Sequence, residues 1–84
     1  MSKSTIRTSK NQPANSLREV LATNIRQLRR EMEISQEELA FRCDLDRTYI
    51  SAVERCVWNV SLGNIEKIAT ALDTEPWRLL LPPK

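Results

Sequence analysis

The chain has 84 residues, 40% of them apolar and 29% charged, which suits one small domain around one modest core. It has no histidine, one glycine, and two cysteines, Cys43 and Cys56, outside any Cys-x-x-Cys spacing. That argues against a zinc site and excludes His-based nucleophile pairs and a glycine-rich phosphate loop, so neither an enzyme nor a cofactor is expected. Net charge is +2, but Lys3, Arg7 and Lys10 lie in residues 1–15 without an acid, which leaves residues 16–84 at −1. If the folded part binds a polyanion, it does so through a local basic patch.

No apolar run reaches the ~18 residues of a membrane span and the N-terminus lacks an apolar signal core, so a cytoplasmic protein with free thiols and no membrane partner is expected. Cys43, in an apolar setting, reads as a small core residue.

Residues 1–15, "MSKSTIRTSKNQPAN", are polar and aperiodic and read as a disordered basic arm ahead of a domain spanning 16–84. The arm is either a solubilising tail or a strap that touches DNA. A first helix starts near Ser16, with Leu17, Leu21, Ile25, Leu28 and Met32 as its buried stripe. Ser35 and Glu38 form a capping box for a second, short helix whose inner face is Leu39, Ala40 and Cys43. Asp46 caps a third helix with Ile50, Val53 and Val57 buried. A fourth starts at Ser61 and buries Leu62, Ile65, Ile68, Ala69 and Leu72; "TEPW" opens a fifth, with Pro76 in its first turn. The expected fold is therefore all-α with five helices.

Two short helices over about 35–55, joined by roughly four residues, have the helix-turn-helix layout, in which the second leads with its N-terminus into the major groove. Positions 47, 48, 51, 52 and 55 fall opposite Ile50 and Val53. Arg47 has the fork to grip guanine, and Thr48 offers a hydroxyl and a methyl to its neighbour. A polar helix face is also what any solvated helix shows, so periodicity alone leaves both readings open.

The segments "SQEELA", "LDRTYIS", "VER", "NIEKIA" and "PW" occur in order between Ile25 and about Leu80. In this the chain resembles the Cro/phage-repressor-type (Xre) helix-turn-helix family, and "LDRTYIS" is especially similar to the controller proteins of restriction–modification systems. The resemblance implies a lambda-repressor-like DNA-binding domain and a set of roles. Arg47, Thr48, Ser51 and Ala52 would read bases, and Gln36, Tyr49, Arg55 and Asn59 would touch the backbone or the edge of the site. Tyr49 is equally open to partial packing. Arg29 and Glu54 would form a structural ion pair. The family usually has glycine where Asp44 and Cys56 stand, so a reshaped exit from the third helix is expected. Trp77 is expected to pack on the core; Trp58 is open to packing on the core, stacking on the backbone or marking a partner surface, and packing is the expected one of these.

One such helix reads too few base pairs to isolate a site, so a homodimer on a palindromic operator is expected, with Leu80 and Leu81 at its interface. Bound at a promoter, it would act as repressor or activator, with Glu66 and Lys67 as a surface for RNA polymerase. The alternative is an antitoxin-type module that caps a toxin and regulates its own synthesis.

Overall fold

A computed structural model describes residues 16–83 of the chain; the arm at 1–15 lies outside the described residues. Its elements are α1 (Leu17–Glu31), α2 (Gln36–Cys43), α3 (Arg47–Glu54), α4 (Leu62–Ala71) and a terminal 3-10 helix (Pro76–Leu80). Among the described residues there is no strand, and no helix is long and apolar enough to cross a membrane.

Each α-helix begins on a side-chain cap that satisfies an orphan backbone N–H. Ser16 accepts from the Glu19 N–H at 3.2 Å and Glu19 returns the bond, a full capping box. Ser35 accepts from the Glu38 N–H at 3.0 Å, Asp46 from Thr48 at 3.1 Å, and Ser61 from Asn64 at 3.1 Å. The expected box on α2 is only half made. The Glu38 carboxylate turns instead to Arg42 Nε one turn on, at 2.8 Å.

All four α-helices end in one way. Glu33, Asp44, Cys56 and Asp73 take φ of 58°, 60°, 61° and 58°, and none of them is glycine. After each, an N–H reaches back to a carbonyl five residues earlier: Ile34 to Arg29, Leu45 to Ala40, Val57 to Ala52 and Thr74 to Ala69, at 2.9–3.1 Å. This is the Schellman closure, which normally recruits glycine because a Cβ is crowded at positive φ. The exit from α3 is thus not reshaped, since Cys56 adopts the left-handed conformation itself.

One core joins all the elements through Leu21, Ile25, Leu39, Ala40, Cys43, Ile50, Val53, Ile65, Ile68, Ala69, Leu72 and Leu79. α2 packs on α3 and α4, α1 on α3, and the 3-10 helix closes the bundle against α1 and α4.

Several expected core positions are corrected. Leu17 and Leu62, each the first residue of its helix, project past the core and are 61% and 76% exposed. Val57 is 51% exposed because α3 stops at Glu54, so helical periodicity no longer applies to it. The fifth helix is a 3-10 turn, which leaves four α-helices. With three residues per turn, Pro76 and Leu79 face inward and Trp77 swings out to 55% exposure, where Arg78 lies 4.8 Å from its ring centroid. The Asn24 amide donates to the carbonyls of Leu79 and Leu81 at 2.7 and 2.8 Å, which fixes the chain end without further helix.

Candidate nucleic-acid interface

The site is built on how α2 and α3 are held. Glu54, the last residue of α3, is 3% exposed, and a lone carboxylate there would be costly. It is fully engaged. Arg29 Nε meets Oε2 at 2.8 Å and Nη2 meets Oε1 at 3.0 Å, a two-pronged pair, while Arg29 Nη1 donates to the Ile34 carbonyl at 3.0 Å. Gln36 Nε2 adds a third bond to Oε1 at 2.9 Å, and the Arg26 guanidinium caps the Glu54 carbonyl. The hydrogen bond to Glu54 raises the Arg29 pKa above its ordinary value against the opposing effect of burial. One carboxylate therefore ties α1, α2 and α3 together.

That tie sets what α3 presents. Arg47 and Thr48 are exposed at its N-terminus, and among the described residues Arg47 has no ion-pair partner. Ser51, half-buried, accepts from Arg55 Nε at 3.4 Å, and Arg55 is itself exposed. Asn59 is exposed on the loop beyond α3. These side chains lie along one helix and its exit, and two of them are cationic.

Two of the site assignments and one packing expectation read differently in the structure. Ala52 is sealed at 1% exposure, and its carbonyl accepts from the Val57 N–H at 2.9 Å, so it is removed from the reading face. Gln36 is half-buried and turned toward Glu54, so its amide serves the scaffold. Trp58 does not enter the core: it leans on Tyr49, with ring centroids 5.9 Å apart and planes at 44°, and stays 46% exposed. Tyr49 is half-buried against the core, and its hydroxyl accepts from Asn64 Nδ2 at 3.0 Å. The anchoring roles of Asn24, Arg26 and Asn64 went unread, because a polar residue on a helix's outer side carries no signal distinguishing an anchor from a solvated side chain.

Leu80 is half-buried and lines a groove of about 230 Å³ with Leu17, Leu21, Val60, Leu62 and Ile65, while Leu81 is 47% exposed. Cys43 is buried and unpaired, and burial pushes its thiol pKa up to about 11. Cys56 is half-buried, with its thiol 3.7 Å from the Arg18 carbonyl. No group of three or more metal-ligating side chains occurs among the described residues.

A family model described as helix-turn-helix matches residues 25–76. A hypothetical transcription factor of Neisseria meningitidis is 59% identical over 68 residues, which is 81% of this chain and 64% of that protein, so the match spans less than two thirds of that relative's length. A crystal structure of a hypothetical Neisseria transcription factor superposes with a TM-score of 0.80 at 54% identity, covering 87% of this chain and 90% of that one. The control protein C.BamHI of Bacillus amyloliquefaciens is 52% identical over 67 residues, 79% of this chain and 83% of that protein. The restriction–modification controller C.Esp1396I, solved as a tetramer on its natural 35-base-pair operator, superposes with a TM-score of 0.72 at 32% identity, covering 79% and 87%. The chain belongs to the Xre-type helix-turn-helix family, with restriction–modification control proteins among its relatives.

Proposed function

We propose that this chain is a sequence-specific DNA-binding transcription regulator, a homodimer on a palindromic operator, of the restriction–modification controller type. The observation that carries the reading is the exposure of Arg47 and Thr48 at the leading end of α3, with that helix pinned at its other end by Glu54. Arg47 is free to place its two donors on guanine O6 and N7, and Thr48 to contact the next base. Ser51 extends the reading face. Arg55 and Asn59 follow the sugar–phosphate backbone at the exit from α3, and Gln36 contributes by keeping α2 in register.

The dimer reading is supported by the apolar groove that Leu80 lines with Leu17 and Leu62, and by Leu81, which is separately exposed next to it in sequence. A dimer that reads two half-sites one turn of B-DNA apart must hold its two α3 helices about 34 Å apart. Glu66 and Lys67 are exposed on α4 and available to RNA polymerase. The operator complex of C.Esp1396I is a finding about that protein, and it supports an operator as the ligand here.

Titration with an enriched palindromic duplex and its scrambled counterpart, beside sedimentation of the free chain, tests this reading. Two protomers per palindrome, with at least 10³-fold weaker scrambled binding, is expected of a specific regulator. Equal affinity for both duplexes would contradict it.

A further inference from the structure

The exit from α3 carries Arg55, and the first turn of α1 brings a second cation to the same loop. Arg18 is exposed there, and among the described residues it has no ion-pair partner. Its neighbour Glu19 is taken by the Ser16 cap. The Arg18 carbonyl accepts from the Cys56 thiol at 3.7 Å, and Arg18 lines one groove with Asn59 and Val60. The start of α1 is thereby held against the loop that carries Asn59, although Arg18 lies outside α2 and α3 and ahead of residue 25, where the family match begins.

Nothing in the fold calls for a cation at this place. A positive charge in the first turn of a helix opposes the helix dipole. The other arginines of α1 have different positions: Arg29 holds the Glu54 carboxylate, Arg26 its carbonyl, and Arg30 stands about 18 Å further along the axis at 1.5 Å per residue. Residues 16–84 sum to −1, so a polyanion must be met by local clusters of this kind. We propose that Arg18 is a phosphate-binding residue, joining Arg55 and Asn59 on the sugar–phosphate backbone and adding one contact per half-site from outside the helix-turn-helix. Its guanidinium offers the paired donors that phosphate oxygens accept. The proposal rests on the DNA-binding reading above.

The test measures affinity against salt on the palindromic duplex that the wild-type chain enriches from a random pool. Arg18→Gln removes one phosphate contact from each protomer, so the salt slope should flatten by about 1.8, at ~0.9 per phosphate. The deficit of the variant should accordingly shrink about 12-fold between 50 and 200 mM salt. It should be the same on duplexes with one base pair changed, since no base edge is lost. Arg18→Lys should keep the wild-type slope, because the charge stays. Arg78→Gln, which removes an equal charge from a side chain stacked on Trp77, should keep it too. A wild-type slope for Arg18→Gln, a loss confined to one base step, or equal flattening by Arg78→Gln would each overturn the proposal. So would a monomeric Arg18→Gln in sedimentation, which would place Arg18 in assembly at the groove it borders. With a wild type that binds its palindrome, these outcomes strike this contact alone; a wild type that enriches no duplex would fail the DNA-binding reading itself, and this contact with it.

Discussion

Arg29 and Glu54 meet fork to carboxylate across 25 residues of sequence, at 2.8 and 3.0 Å, with the carboxylate sealed from water. A buried pair adds little stability over an apolar substitute, but breaking one leaves an uncompensated charge. The pair therefore matters as a register device: it sets where the end of α3 sits against α1, and through Gln36 against α2. Arg29→Ala should cost about 3–5 kcal/mol in urea unfolding, and Gln36→Ala about 1 kcal/mol, since it removes a single bond to the same carboxylate. A cost below 1 kcal/mol for Arg29→Ala would mean that Glu54 finds another partner.

The left-handed helix ends give a second prediction. Cys56 and Glu33 hold φ near 60° with a side chain that resists it, at about 1–2 kcal/mol each. Glycine relieves this but enlarges the unfolded ensemble, so Cys56→Gly or Glu33→Gly should gain a net ~0.5–1 kcal/mol. Thermal melts should rise by a few degrees, with smaller gains for Asp44→Gly and Asp73→Gly because Asp tolerates this conformation better than most residues. An unchanged or lower midpoint for Cys56→Gly would show that its thiol contact to the Arg18 carbonyl outweighs the backbone strain.

Cys43 supplies a pH dependence. Its folded pKa of about 11 lies above the ordinary thiol value of 9.0, because burial disfavours the thiolate. Between those values the unfolded chain has lost the proton that the folded chain keeps, so stability falls as pH rises from 9 to 11. The contribution is intact below pH 9 and is lost progressively above it. Urea midpoints across this range should drop more steeply for the wild type than for Cys43→Ala, and parallel curves would place the titration elsewhere. In the folded protein an alkylating reagent should modify the half-buried Cys56 first and reach Cys43 only on unfolding.

Ala52 tests the packing beside the reading face. A larger side chain such as Leu has no room at 1% exposure, so Ala52→Leu should destabilise by about 1–3 kcal/mol. A folded, stable Ala52→Leu that merely changed base preference would return this position to the duplex.

What the sequence makes legible follows physical lines. The caps at Ser35, Asp46 and Ser61 are readable because a short polar side chain before a periodic apolar stretch has a local role. The Ile50 and Val53 stripe is readable for as long as the helix lasts. Val57 is misplaced because nothing in its own identity reveals that Cys56 turns left-handed one residue earlier. Leu62 and Leu17 match the helical period but stand on a first turn, where the period gives direction and not depth. Trp77 is placed outside the core by the change from 3.6 to three residues per turn, which rests on Asn24 more than fifty residues away. At the site, Arg47 and Thr48 follow from the helix-turn-helix spacing, whereas the inward turn of Gln36 and the Asn64 grip on Tyr49 are tertiary and leave no local trace.

On the reading proposed above, the leading end of α3 meets the base edges. Selection of duplexes from a random pool, carried out in parallel with the wild type and Arg47→Ala, tests this. The wild type should enrich a palindrome with a fixed guanine in each half-site. The variant should bind that palindrome about 2–6 kcal/mol more weakly, about 1–3 for each half-site, and lose its preference at those two positions alone. Should both proteins enrich the same palindrome with the same guanine fixed, Arg47 does not read that base and the orientation of α3 on the duplex is wrong.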